Sequence, residues 1–233
     1  MIGIVCAMEE ELKALTKLME DVKIEKGKTL SYHDRTLEIS YYIGSLRGSS
    51  VVATQCGVGK VFAALGTQLL IQNYQPELIL NIGVAGSLNE NIHVNDIVVA
   101  DRIADWEVDV PGWERSMNGP KVSYACSSKV LRVFKKIRRK SIKIGSVVSG
   151  DEFIYKKSQL RTIKKYFPEA YAGEMEGFAI ATACDAYGVE CGIIRSISDE
   201  TLVGGNYEMY DFNLLKVCDT VALLCSEIIG RLA

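Results

Sequence analysis

Carboxylates dominate the residues of this chain whose type and spacing could do chemistry, and they gather in short stretches beside apolar runs. In Ala7-Met8-Glu9-Glu10-Glu11, an acidic first helical turn complementing the helix dipole accounts for Glu9 and Glu10, and spacing alone does not set Glu11 apart. Gly173-Glu174-Met175-Glu176 opens an almost wholly apolar segment, and Arg195-Ser196-Ile197-Ser198-Asp199 closes another. A buried charge is costly unless it is paired, hydrogen-bonded or solvated in a cleft. A functional cleft and a structural ion pair account for Glu174, Glu176 and Asp199 equally well on this ground.

Two glycine stretches could bring a ligand close to the backbone. Cys56-Gly57-Val58-Gly59-Lys60 lacks both the GxxxxGK[ST] and the GxGxxG spacing, so neither a nucleotide P-loop nor a dinucleotide fingerprint is supported. A tight strand-to-helix turn accounts for it. Gly83-Val84-Ala85-Gly86 offers small residues where a ligand could approach, and a plain turn accounts for it equally.

The remaining composition narrows the chemistry. With only His33 and His93 present, a multi-histidine metal site or a Ser-His-Asp enzyme has little to work with, so carboxylates must carry any acid–base step. The seven cysteines are odd in number, scattered and without CxxC or Cys/His metal spacing, and they read as reduced thiols. Cys218 and Cys225, seven apart, should share one buried helix face. A net charge of -2 and a pI near 5.8 give no general attraction to nucleic acid or acidic lipid. The basic run from Lys135 to Lys140 reads as a solvated helix end. No stretch reaches the roughly 18 uninterrupted apolar residues of a membrane span, and the first residues lack a signal pattern, so a cytoplasmic location is expected.

These groups need a frame. Ile2–Cys6, Val51–Cys56, Leu78–Ile82, Asp96–Ala100, Ile144–Val148 and Cys191–Ile197 read as strands, several with almost no polar alternation. Helical patterns fall over Glu9–Met19, Val61–Gln72, Ser127–Arg139, Ser158–Tyr166, Glu176–Tyr187 and Phe212–Leu232. Strands covered on both faces and alternating with helices predict an α/β fold with a largely parallel twisted sheet. A hairpin over Leu30–Tyr42 makes that sheet mixed, and no linker divides residues 1–233. The irregular stretch Trp106–Lys121, holding both tryptophans and two prolines, reads as a functional or interface loop. In such sheets ligands bind beyond the carboxyl ends of the strands, where the acids above lie.

Taken in order, the stretches at residues 7–11, 57–61, 81–86, 96–99, 149–154, 174–176 and 195–199 resemble the methylthioadenosine/S-adenosylhomocysteine nucleosidases of the nucleoside phosphorylase/nucleosidase superfamily. The resemblance implies a single-domain fold, a homodimer, a small nucleoside substrate, and neither metal nor organic cofactor. It also implies roles. Asp199 would protonate or hydrogen-bond adenine N7, with Ser198 beside it, while Phe153 stacks on the base and the Phe153–Ile154 backbone reads its edge. Glu176 would hold the ribose hydroxyls, Met175 would pack on the sugar, and Glu174 and Arg195 would shape the pocket. Glu11 would be the general base on the attacking water, with Met8 and Val58 lining the sugar and alkylthio region.

Three places depart from the pattern: Val84 stands where many relatives carry a hydroxyl, Gly173 replaces a larger apolar residue, and residues 107–113 match only loosely. The alternatives are a phosphorolytic nucleoside phosphorylase, a nucleosidase for deoxyadenosine or aminofutalosine, and a non-catalytic purine-binding module. The last need not keep Glu11 and Asp199 together. Phosphorolytic relatives commonly place an arginine where this chain has Asn81.

Overall fold

A computed structural model describes every residue except His33, Arg138, Gly204, Gly205 and Ala233; His33 and the Arg138 of the basic run therefore lie outside the described residues. In chain order the elements are β1 (Ile2–Cys6), α1 (Glu9–Thr16), β2 (Glu20–Tyr32), β3 (Arg35–Leu46), β4 (Ser49–Gln55), α2 (Lys60–Tyr74), β5 (Leu78–Ser87) and β6 (Ile97–Asp105). They continue with β7 (Ser123–Ala125), α3 (Ser128–Phe134), β8 (Ile142–Ser149), α4 (Lys157–Tyr166), β9 (Ala170–Glu174), α5 (Gly177–Ala186), β10 (Glu190–Glu200) and α6 (Asn206–Leu232).

The strands form one mixed sheet in the order β10-β6-β8-β9-β5-β1-β4-β3-β2. Because β10 also pairs with β5, the five strands from β10 to β5 close on themselves, and β1, β4, β3 and β2 continue outward from β5. Parallel pairings join β1 to both β4 and β5, and β8 to both β6 and β9; the hairpin end is antiparallel.

The apolar strands alternate two packed faces. Ile4, Leu78, Leu80 and Ile82 join a core with Leu12 of α1, Val130 of α3 and Val221 of α6. Val5 and Ile79 point the other way, against Ala63 of α2 and Ile180 of α5. Successive strand side chains face opposite sides, so a strand covered twice must be apolar throughout. Burying each large aliphatic side chain stabilises by about 1.5–3 kcal/mol, which holds the layers against the sheet. Cys218 and Cys225 lie together in the first core, as their spacing requires, and Gly188 ends α5 at φ 68°.

Several boundaries differ from the sequence expectation. The hairpin is far longer than Leu30–Tyr42, running from Glu20 to Leu46. α1 stops at Thr16, and α3 stops at Phe134 instead of Arg139, where consecutive like charges begin. α6 starts at Asn206, six residues before Phe212. The larger correction concerns Gly83-Val84-Ala85-Gly86, which is strand and not turn. These residues pair with Arg195, Ser196, Ile197 and Asp199 of β10, while the Val84 N–H turns to the Glu11 side chain. Residues 107–121 are irregular as expected, with Trp106 and Met117 buried and Trp113 exposed. Among the described residues no helix is long and apolar enough to cross a membrane.

Candidate active site

The carboxyl ends of β1, β5 and β10, the start of α5 and the turn after β8 surround one cavity of about 640 Å³, counting its open mouth. Eleven of the twelve residues expected from sequence line it: Met8, Glu11, Val58, Val84, Phe153, Ile154, Glu174, Met175, Glu176, Ser198 and Asp199. Arg195 does not. It is buried beneath the floor, at 1% exposure.

Glu11, the third residue of α1, folds back over its own helix start. Its Oε2 accepts the N–H groups of Ala7 (2.8 Å) and Met8 (3.0 Å), and its Oε1 accepts that of Val84 (3.1 Å). Burial pushes its pKa up, and the three amides and the Arg195 charge pull the other way. The result is a carboxylate held rigidly but kept more basic than one in water.

Asp199 sits at the end of β10 just after an irregularity between Ile197 and Asp199. Ser198 Oγ donates to its Oδ1 (2.8 Å) and Asn206 Nδ2 to its Oδ2 (3.1 Å). Burial raises its pKa and these two bonds oppose the rise. Asn206 Nδ2 also donates to the Ile154 carbonyl (3.0 Å), tying the first residue of α6 to the turn after β8.

Glu174 and Glu176 separate into two jobs. Glu174 Oε2 accepts from Arg195 Nη2 and from the N–H groups of Glu176 (3.0 Å) and Gly177 (2.8 Å), while Oε1 accepts from Ser149 Oγ. Ser149 Oγ takes the Phe178 N–H in turn (2.8 Å). The first amides of α5 are thereby satisfied, and Arg195 neutralises the buried charge. Arg195 also reaches Asn81, donating to its carbonyl and its side-chain oxygen. Among the described residues Glu176 takes the Gly59 N–H on Oε1 (2.8 Å), leaving its other oxygen for a ligand. Burial, then the neighbouring Glu174 charge, raises its pKa to about 8.

Phe153 stands edge-on to Tyr207 (5.9 Å) and Tyr210 (5.7 Å), and the Tyr210 hydroxyl lies 3.3 Å from Met8 Sδ. An aromatic and methionine wall thus faces the carboxylates. A Cβ at Gly173 would meet the Cδ1 end of Ile154, so Ile154 fills the space that the larger residue would take. Asn206 and Tyr210 escape the sequence reading because they precede Phe212, where the helical periodicity becomes visible. The glycine pair Gly204-Gly205 followed by Asn206 is a helix-start signal that points to them. His93 lies elsewhere, near Glu200.

This acid-lined cavity at the strand ends of a partly closed α/β sheet is that of the phosphorylase superfamily, whose family description matches residues 1–230. More narrowly, the chain belongs to the family of the 5'-methylthioadenosine/S-adenosylhomocysteine nucleosidases. It is 35% identical to the one from Maridesulfovibrio salexigens over 222 residues, 92% of each chain. It is 38% identical to one from Staphylococcus aureus over 217 residues, 90% of each. Among solved structures it is similar to the S-adenosylhomocysteine nucleosidase of Streptococcus pyogenes in complex with 5-methylthiotubericidin, with a TM-score of 0.89, 27% identity and coverage of 100% and 97% of the two chains. The Streptococcus pneumoniae nucleosidase with the transition-state inhibitor MT-ImmA gives a TM-score of 0.87 at 26% identity, covering 100% and 99%.

Proposed function

We propose that this chain hydrolyses the N-glycosidic bond of 5'-methylthioadenosine and S-adenosylhomocysteine, releasing adenine and the thio-ribose product. The observation that carries the reading is that Glu11 and Asp199 line one cavity whose described lining holds no lysine or arginine. Adenine leaves poorly unless it gains a proton, and the sugar carbon becomes cationic as the bond breaks. Both needs are met by a carboxylic acid near the base and a carboxylate near the water.

In this reading Asp199 hands a proton to adenine N7, its burial favouring the protonated form and Ser198 and Asn206 orienting it. Phe153 stacks on the base, and the backbone of Phe153 and Ile154 meets its polar edge. Glu176 accepts from the ribose hydroxyls with its free oxygen, and Met175 packs on the sugar. Glu11 draws the proton from the attacking water, and Met8, Val58 and Val84 line the sugar and alkylthio end. Glu174 and Arg195 act from behind, by holding α5. No residue in this scheme calls for a metal or an organic cofactor.

Residues 1–233 act as one unit, working in the cytoplasm as a homodimer that buries the exposed Trp113 and Val110 of the irregular loop. Light scattering checks the dimer; a monomer refutes it. The substrate assignment is checked by adenine release from a panel of adenosine derivatives. Highest kcat/KM for the thioethers supports it, and preference for deoxyadenosine or aminofutalosine overturns it.

A further inference from the structure

The irregular loop is tied to the base-facing turn by a charged cluster that the reaction scheme leaves unused. Glu107 Oε2 accepts the backbone N–H of Asp151 (2.8 Å) and its Oε1 that of Glu152 (3.2 Å), so one carboxylate spans two consecutive amides just before Phe153 and Ile154. Lys60 Nζ donates to Glu107 Oε2 (2.8 Å) and to the buried Asp105 Oδ2 (2.9 Å), with Asp151 Oδ2 at 3.6 Å. Asp105 Oδ1 in turn accepts the N–H groups of Glu107 (2.9 Å) and Val108 (3.3 Å). The backbone N–H of Lys60 reaches Asp151 Oδ1 (2.8 Å), and that of the preceding Gly59 reaches Glu176 Oε1.

We propose that Glu107 and Lys60 are positioning residues for base recognition: Glu107 fixes the turn at residues 151–154, and Lys60 fixes Glu107 while linking that turn to the ribose carboxylate Glu176. The inference rests on the reading that this turn faces the base. Charge-assisted bonds to consecutive amides are strong and directional, so they set where a backbone edge stands. A ligand read by backbone groups is sensitive to displacements of about 1 Å, which cost up to about a hundredfold. Lys60 keeps its charge: burial pulls its pKa down, but the bonds it donates to Glu107 and Asp105 outweigh this and push it up to about 12. The loop beginning at Trp106 thereby acquires a task within its own subunit, distinct from any at a dimer contact.

The test uses Glu107→Ala and Glu107→Gln in the full chain, because Lys60→Met alone would strand the buried Asp105. Glu107→Ala should raise KM for methylthioadenosine about ten- to a hundredfold with a smaller fall in kcat, and weaken free adenine in parallel. Amide hydrogen exchange should quicken at residues 151–154, and Glu107→Gln, which keeps an acceptor oxygen, should fall between. Wild-type KM, adenine affinity and exchange in Glu107→Ala would overturn the proposal, as would a loss of thermal stability alone. If the unaltered protein releases adenine from no nucleoside, the functional reading fails, and exchange at residues 151–154 still decides the latch.

Discussion

Gly83 and Glu11 occupy one space: a Cβ at position 83 would stand 2.6 Å from Glu11 Oε1. The bare strand lets the carboxylate lie flat on β5 and take the Val84 N–H. Gly83→Ala should therefore displace Glu11 and cut kcat by about a hundredfold while the chain remains folded by circular dichroism. Unchanged turnover would mean that the placement of Glu11 does not matter.

Glu11→Gln and Asp199→Asn keep side-chain size but remove the proton-transfer groups, so each should lower kcat by about 10²–10⁴-fold. Single-turnover adenine release measures the chemical step directly. A near-normal rate in either variant removes that residue from the mechanism.

Asn206 holds Asp199 through a bond that lowers its pKa against the rise caused by burial. Asn206→Ala should then shift the limb of the pH–rate profile that reports Asp199 toward higher pH and slow turnover several-fold, about the worth of one hydrogen bond. A limb that stays in place would leave Asn206 a purely structural residue.

Glu176 predicts a trade of stability for function. Its folded pKa is raised from the ordinary 4.5 to about 8, so its contribution is complete below pH 4.5 and is lost as pH climbs through 8. Glu176→Gln removes that loss. The variant should melt at a higher temperature than the unaltered protein at about pH 8–9 and at a similar temperature near pH 5. It should also bind nucleoside more weakly above about pH 8, where Glu176 is ionised and its bond to ribose is charge-assisted. A melting difference that does not grow with pH contradicts the account.

How much of the fold and site is legible in the sequence depends on what fixes each residue. The twice-covered strands β1 and β5 are readable because Ile2–Cys6 and Leu78–Ile82 are almost wholly apolar, too short for a typical helix and rich in Ile, Leu and Val, which suits a strand buried on both faces. β2 and β9 are not: β2 is rich in charged residues and largely exposed over residues 20–31, and β9 is a short Ala-Gly segment with little pattern. Closure of the sheet by β5 and β10 depends on pairing between residues more than a hundred apart, which local periodicity does not carry. Within the site, order along the chain assembles the cavity wall. It does not separate Glu174 from Glu176, two residues apart, because their difference lies in Arg195 beneath one and Gly59 beside the other. The Lys60–Glu107 link is hidden for the same reason, since 47 positions separate its partners.

Water and phosphate as rival nucleophiles make different demands on this cavity. A phosphate dianion needs a cation, best an arginine fork. Arg195 is buried and committed to Glu174 and Asn81, and the described lining carries Glu11, Glu152, Glu174, Glu176 and Asp199 without a lysine or arginine. The most direct measurement is therefore product analysis of methylthioadenosine turnover in phosphate-free buffer and again with phosphate added. The account predicts adenine and free methylthioribose at the same rate in both. A sugar phosphate among the products, or release that depends on phosphate, would contradict it.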